Sequence, residues 1–149
     1  MLTRLMRARA AESIAAWNRG DPEGVVEHIV EDVLWRDVAL PMPVHGREAL
    51  KTVLRGYMSA FPDLRVEVTS VMLDGARVAQ EWTATGTHRG ELMGVAPTGR
   101  ASQVYGATVI VFDEDARMIE GAMYWNPLAM LSQLGAAQAP ASEPESTPP

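Results

Sequence analysis

Three polar side chains that could take part in chemistry lie at or near the ends of predicted strands. Asp37 follows Trp35 in a short predicted strand. His88 follows a longer predicted strand, and Asn126 comes directly after the last one. The Asp37 carboxylate can take and return a proton, and the His88 ring can donate to a carbonyl oxygen. The Asn126 amide cannot cycle a proton at neutral pH, although it can donate to an oxyanion.

Each of these three residues also has a purely structural interpretation. Asn126 precedes Pro127, so it can be the N-cap of a final helix, and the two roles can coexist. Asp37 could face solvent at the end of its strand. His88 could serve only to attach the following loop to the sheet.

Aromatic side chains could form the wall of a site for an apolar ligand, since large rings supply much contact area. The candidates are Trp35, Trp82, Tyr105 and Tyr124. Such residues equally fill hydrophobic cores, which is the alternative for all four. His45 is a further candidate for contact with a substrate, with a surface position as its alternative.

Metal and nucleotide chemistry have little support in the sequence. The chain has no cysteine, so it forms no disulfides and has no thiol nucleophile or cysteine metal ligand. Its histidines, His28, His45 and His88, are scattered rather than spaced as metal ligands. The segment from Gly90 to Gly99 lacks the lysine and the spacing of a phosphate-binding loop. We therefore expect neither a metal nor a cofactor.

Charge and hydropathy also exclude some partners. The net charge of −6 argues against a broad nucleic-acid or acidic-membrane surface. The sequence contains no apolar run of membrane-spanning length. These features predict a cytoplasmic protein whose partner is neither a nucleic acid nor a membrane.

Helical periodicity dominates the first part of the 149-residue chain, whose length suits one domain. Apolar residues recur at helical spacing over residues 2–17, and Asp21-Pro22 predicts the start of a second helix that includes residues 25–30. The third helix has the clearest pattern, a continuous apolar stripe over residues 50–61 that ends before Pro62.

After this point the apolar period changes to two. It predicts strands over residues 64–69, 77–86, 102–112 and 118–125, with Asp74-Gly75 as a hairpin turn. Helices followed by a strand meander are typical of an α+β fold. A short helix after Asn126 would complete a domain over residues 1–135, and the Ala, Pro, Ser and Glu composition of residues 136–149 predicts a disordered tail.

Helices packed on the concave side of a curved sheet leave a cavity, which is the usual place for a binding site. We assign Trp35 and Asp37 to one face of the first strand. One face of the strand after the hairpin carries Gln80, Trp82, Ala84, Gly86 and His88. On the last strand we predict that the more polar face forms the cavity wall, with Glu120, Ala122, Tyr124 and Asn126. Its opposite face has Ile119, Gly121, Met123 and Trp125.

Several short stretches, in one order over about residues 5–135, resemble the SnoaL-like polyketide cyclase family within the nuclear transport factor two-like fold. They are His45-Gly46-Arg47-Glu48-Ala49-Leu50, Ala60-Phe61-Pro62-Asp63-Leu64, Asp74-Gly75 before Glu81-Trp82, Thr85-Gly86-Thr87-His88-Arg89-Gly90, Pro97-Thr98-Gly99-Arg100, Tyr124-Trp125-Asn126 and Gln133-Leu134-Gly135. The resemblance implies a cone-shaped barrel with a strongly curved, mostly antiparallel sheet. About three N-terminal helices would pack on its concave side, with a short helix at the C-terminal end.

The same resemblance implies a function. Cyclases of this family close a ring by intramolecular aldol condensation of a polyketide ester, by acid–base catalysis without metal or cofactor. It further implies a homodimer and a role in antibiotic biosynthesis.

One position departs from the family. Its acid/base aspartate typically follows the Tyr-Trp of the last strand, where this chain has Asn126. Asp37 is then the acid/base candidate, with Asn126, His88 and Tyr124 orienting the substrate or donating hydrogen bonds. Two alternatives stay open, a binding or assembly protein without turnover and a relative of the hydrolase or hydroxylase type. A cavity without any carboxylate would favour binding only.

Overall fold

The computed structural model describes residues 1–136, which form four helices and six strands. The helices are α1 (Leu2–Asn18), α2 (Pro22–Val25), α3 (Arg47–Ala60) and α4 (Pro127–Gln133). The strands are β1 (Ile29–Asp37), β2 (Val44–His45), β3 (Arg65–Asp74), β4 (Arg77–Thr87), β5 (Ala101–Phe112) and β6 (Met118–Trp125). The predicted α+β class is confirmed, with three helices before the strand meander and a short one after it. The predicted disordered tail lies, apart from Ala136, outside the described residues.

The strands form one sheet in the order β2-β1-β6-β5-β4-β3. Only β1 and β6 pair in parallel, and the other neighbours are antiparallel, so the sheet is mostly antiparallel as the family resemblance implies. The hairpin between β3 and β4 turns at Gly75, whose φ of 56° lies in the left-handed region that glycine adopts without strain. The sheet curves around the helices, and β1, β3, β4, β5 and β6 all contribute residues to the wall of one cavity.

Helix α3 closes this concave side because its apolar stripe faces the sheet. Leu50, Leu54 and Tyr57 are buried on it at helical spacing. Phe61 follows as the C-cap, since the residue before Pro62 resists helical geometry. The long third helix is therefore confirmed with its predicted orientation.

The second helix is shorter than its apolar pattern suggested. The prediction that it includes residues 25–30 is wrong, because α2 ends at Val25 and β1 already begins at Ile29. β-branched residues favour extended backbone, where their side chains pack well on a pleated surface. Val26 and Ile29 are buried all the same, in the connection to β1 and at its first residue.

Two side-chain amides attach helices to strands by pairing with backbone. At the end of α1, Asn18 donates to the Val66 carbonyl at 2.9 Å and accepts from the Val66 N–H at 2.6 Å. At the end of α4, Gln133 pairs in the same way with Gln103 of β5, at 2.9 and 2.7 Å. Because an amide presents both a donor and an acceptor, each contact replaces part of a neighbouring strand. No helix within residues 1–136 has the length and hydropathy needed to cross a membrane.

Candidate functional site

A cavity of about 100 Å³ lies between the helices and the concave face of the sheet. Its wall is mainly aliphatic and aromatic, and it includes all four tryptophans of the chain. The lining residues are Ser13, Ile14, Trp17, Val25, Ile29, Trp35, Leu50, Leu54, Tyr57, Phe61, Leu64, Val66, Gln80, Trp82, Ala84, Thr85, Gly86, Ser102, Val104, Thr108, Ile110, Met123, Trp125 and Met130. Among the described residues, no carboxylate, histidine, lysine or arginine lines this cavity.

The Asp37 carboxylate lies directly behind this wall, and the residue is only 4 % exposed. Its Oδ2 accepts from the Tyr57 hydroxyl at 2.6 Å, and its Oδ1 accepts from the Trp125 indole N–H at 2.9 Å. A third bond, from the Ala39 N–H to Oδ1 at 2.9 Å, fixes the carboxylate at the end of β1. Tyr57 and Trp125 both line the cavity, so the Asp37 carboxylate is hydrogen-bonded to two side chains of the cavity wall.

Tyr57 is the single ionisable side chain that lines the cavity within the described chain. Burial, together with the neighbouring Asp37 carboxylate, raises the pKa of Tyr57 far above its ordinary value, so the phenol stays protonated at neutral pH. Its ring lies between Trp17 and Trp125, with centroid distances of 6.3 and 6.2 Å. The Tyr57 phenol thus lies between the cavity and the Asp37 carboxylate.

Sequence reasoning treated Tyr57 only as part of an apolar stripe. A signal was present, because a buried tyrosine hydroxyl normally has a hydrogen-bond partner. Asp37 was the carboxylate assigned to the inner face, and the structure brings the two together. Trp125 was missed for a different reason, since it was assigned to the face of β6 opposite the cavity.

The strand register places polar and apolar cavity residues in one row across the sheet. Asp37 pairs with Met123, Met123 pairs with Thr108, and Thr108 pairs with Gln80. Met123, Thr108 and Gln80 line the cavity. The Trp82 indole N–H donates to the Thr108 hydroxyl oxygen at 2.9 Å. A carboxylate therefore lies at one end of the row and a hydroxyl beside an amide at the other.

Two tryptophans lie flat against the sheet because glycines face them. A Cβ on Gly121 would collide with the Trp35 ring, and one on Gly106 would collide with the Trp82 ring. Both rings belong to the cavity wall. The glycines therefore set the depth of the cavity at these two places.

The predicted cavity face of β6 is wrong. Met123 and Trp125 line the cavity, whereas Tyr124 is 53 % exposed on the opposite face, beside the exposed Asn126. The choice rested on polarity, but this cavity is apolar and the polar face of the strand meets solvent. Tyr105 is likewise outside the cavity, with 70 % exposure.

Asn126 is the N-cap of α4. Its Oδ1 accepts from the Ala129 N–H at 3.1 Å, and Pro127 occupies the first turn. The residue does not line the cavity. The capping role that its sequence context allowed is therefore confirmed.

His88 is fully buried but does not line the cavity. Its Nδ1 accepts from the Thr98 N–H at 3.1 Å and lies 3.1 Å from the Thr98 hydroxyl, so the ring ties the loop to the end of β4. Its Nε2 has no hydrogen-bond partner within the described residues. Nothing in this arrangement brings His88 to Asp37.

His45 is exposed on β2 and also lies outside the cavity. His28 is paired with Glu12 at 3.1 Å. Over residues 1–136, no group of three histidine or acidic side chains is close enough together to hold a metal ion.

A curved sheet that closes with helices over an apolar cavity defines a small α+β domain of the nuclear transport factor two-like fold. The family described as SnoaL-like polyketide cyclase matches residues 8–134, and the chain belongs to this family. A comparison with curated protein sequences finds no match.

Solved structures agree with this assignment. AclR, a candidate hydroxylase from Streptomyces galilaeus, is 32 % identical, with 90 % of this chain and 87 % of AclR covered and a TM-score of 0.79. IdmH, a candidate polyketide cyclase from Streptomyces antibioticus, is 29 % identical over 87 % of this chain and 98 % of its own, with a TM-score of 0.74. A candidate SnoaL-like polyketide cyclase from a Jannaschia species is 19 % identical over 91 % of this chain and 94 % of its own. Its TM-score of 0.82 supports the fold.

Proposed function

We propose that the protein is a cofactor-free enzyme that acts on an uncharged, hydrophobic, polyketide-like molecule by acid–base chemistry, with Asp37 as the acid/base group. The observation that carries this proposal is the 2.6 Å hydrogen bond between Asp37 and the cavity-lining Tyr57. A buried carboxylate joined to a phenol at the wall of an apolar cavity is an arrangement suited to moving a proton.

In the proposed reaction a C–H bond next to a substrate carbonyl breaks. Its proton passes to the Tyr57 oxygen while the phenol proton passes to Asp37 Oδ2, which leaves an enolate in the cavity. The enolate carbon then attacks a second carbonyl carbon of the same molecule, and a C–C bond forms. The resulting alkoxide takes up one proton from solvent and Asp37 releases one, so the overall reaction is a ring closure without loss of atoms.

Two further groups hold Asp37 in the orientation that this transfer needs. The Trp125 indole and the Ala39 N–H both donate to Oδ1, so Oδ2 is directed to Tyr57. Holding the reacting groups in one geometry removes much of the entropic barrier to proton transfer. In this proposal Asn126 remains a helix cap, because its oxygen is already engaged by Ala129.

The test measures proton abstraction directly. In heavy water, the protein should catalyse deuterium incorporation next to the carbonyl of β-tetralone, followed by NMR or mass spectrometry. Asp37→Asn should lower the catalysed rate by about a hundredfold or more, the usual contribution of a positioned base. Asp63→Asn is the matched control, since this carboxylate bonds Thr87 away from the cavity. Equal rates for the Asp37 variant and the wild type would exclude Asp37 as the base.

A binding protein is the second candidate, and one observation favours it. No carboxylate touches the cavity directly within the described chain. If the protein binds β-tetralone but never accelerates exchange, binding alone is its function.

A hydroxylase is a third candidate, supported by the 32 % identity to AclR. Uptake of dioxygen with aromatic polyketide substrates would distinguish it.

We also propose a cytoplasmic homodimer that pairs through the convex face of the sheet. Tyr105 and Tyr124 are exposed on neighbouring strands of this face, with Ala107 opposite Tyr124. Exposed aromatic clusters of this kind commonly mark protein–protein contacts. Sedimentation of the wild type and of Tyr105→Arg tests the proposal. A wild-type monomer at micromolar concentration would refute it.

A further inference from the structure

The end of the cavity row opposite Asp37 carries two neutral polar side chains. Gln80 and Thr108 are paired across β4 and β5, and they are 3 % and 8 % exposed. Both line the cavity. Polar groups in such an apolar surrounding are costly unless they find hydrogen-bond partners.

Their hydrogen bonding is incomplete within the protein. The Thr108 oxygen accepts from the Trp82 indole N–H, which leaves the hydroxyl proton of Thr108 available to another acceptor. No side-chain hydrogen bond joins the Gln80 amide to the part of the chain that the structure describes, and the amide, which can donate two, is not among the buried atoms left without a partner because it borders the cavity. A hydroxyl that already accepts a hydrogen bond is polarised and becomes a better donor.

We propose that Thr108 and Gln80 form the site for the electrophilic carbonyl of the substrate. Their donors would hold the carbonyl oxygen in the bound state and stabilise the oxyanion that forms when the enolate attacks. This inference rests on the proposed function, and it assigns the second half of that reaction to this pair.

The geometry of the row supports this assignment. β1 and β5 are separated by β6 alone, so Asp37 and Thr108 are about 10 Å apart along the sheet, two strand spacings. Asp37 and Thr108 lie on the same face of the sheet, and Met123 lies between them in the row. A substrate folded over the Met123 thioether would place its reacting C–H group toward Tyr57 and its electrophilic carbonyl oxygen toward Thr108.

The absence of cationic side chains from the described cavity wall gives the site its selectivity. Neutral donors suit a ketone or an ester, whose negative charge develops only during the reaction. A free carboxylate would enter this apolar cavity without a counter-charge, which is unfavourable. We therefore expect the electrophilic end of the substrate to be uncharged.

The experiment compares β-tetralone with tetralin, which has the same ring skeleton without the oxygen. Isothermal titration calorimetry gives the ratio of the two affinities for each variant. Thr108→Val and Gln80→Met should each lower the preference for the ketone about three- to tenfold, the range expected for one hydrogen bond. Thr108→Ser, which keeps the hydroxyl, should retain the wild-type ratio. Thr52→Val is the matched control, because this hydroxyl bonds the Glu48 carbonyl on the exposed side of α3, outside the cavity.

The failures of the two proposals can be told apart. An unchanged ratio in both Thr108→Val and Gln80→Met would overturn the carbonyl site, whatever the Asp37 variant does to deuterium exchange. The same conclusion follows if the wild type shows no preference for β-tetralone over tetralin that either substitution reduces. Thr108 and Gln80 would then bind a water molecule instead of the carbonyl oxygen. Asp37→Asn should abolish exchange and still retain the ketone preference. If Thr108→Val does not fold, Gln80→Met and Thr108→Ser decide the result.

Discussion

The Tyr57 hydroxyl donates to Asp37 Oδ2 at 2.6 Å and so joins α3 to the end of β1. Both residues are buried, and Trp125 of β6 donates to the other carboxylate oxygen. The group that we propose for proton transfer is therefore also part of the packing between helix and sheet. Substitutions at this bond should change stability and activity together, and controls must separate the two effects.

Tyr57→Phe removes the hydroxyl and leaves Asp37 with one donor fewer. Because the carboxylate is buried, we expect the free energy of unfolding to fall by about 1–3 kcal/mol. We also expect deuterium exchange to fall toward the rate of Asp37→Asn, since the proton path is lost. Chemical denaturation and the exchange assay measure the two effects. Tyr105→Phe, on an exposed tyrosine, is the control and should change neither. Faster exchange in Tyr57→Phe would mean that the phenol blocks Asp37 instead of serving it.

The raised pKa of Tyr57 predicts how stability responds to alkaline pH. In the unfolded chain this phenol ionises near pH 10, whereas burial and the Asp37 carboxylate keep it protonated in the folded protein. Ionisation thus favours the unfolded state. The stability that the protonated Tyr57 phenol contributes is therefore intact below about pH 10 and is lost as the pH rises further. Denaturation at pH 9 and pH 11 should show a larger loss for the wild type than for Tyr57→Phe. Parallel losses in the two proteins would contradict the assignment.

Leu54→Ala tests the contribution of α3 to the core. Leu54 is 2 % exposed and lines the cavity, so its truncation should cost about 2–5 kcal/mol. The new space adjoins the existing cavity, so larger ring systems should also bind better. Thermal unfolding and calorimetry with ketones of increasing size check these two effects. Leu128→Ala, at a residue 60 % exposed, should behave as the wild type.

Asn126 should behave as a helix cap in mutational tests. Asn126→Ala should lower stability by about 1 kcal/mol, whereas Asn126→Asp should be nearly neutral, because both Asn and Asp cap well. Neither change should alter the affinity for β-tetralone, since the residue lies outside the cavity. A clear loss of affinity in Asn126→Asp with intact stability would show that Asn126 takes part in the site after all.

The elements that local sequence patterns determine were predicted well. The stripe that ends before Pro62 gave α3, and Asp74-Gly75 gave the hairpin, because helical periodicity and turn chemistry depend on neighbouring residues. The second helix was overextended since its apolar residues fit a buried strand start equally well. To assign the cavity-facing side of β6, one must know which side of the strand meets solvent. Polarity was a misleading guide, because the cavity is apolar.

The site itself was only partly predictable. Asp37 and Trp35 were assigned to the inner face from alternation alone. The partners of Asp37 come from distant parts of the chain, with Tyr57 on α3 and Trp125 on β6, so no local pattern indicates them. The pairing of Gln80 with Thr108 follows from the strand register, which depends on side-chain packing over the whole sheet.

The four tryptophans of the cavity wall give the protein a built-in optical probe. Because the chain has no tryptophan elsewhere, its indole fluorescence arises only from the walls of the cavity. The Trp82 and Trp125 N–H groups are hydrogen-bonded to Thr108 and Asp37, so their emission depends on the two ends of the row. A compound that enters the cavity should therefore quench or shift the emission without any label, whereas one that binds the convex face should leave it unchanged. Libraries of unmodified polyketides can be screened on this signal alone.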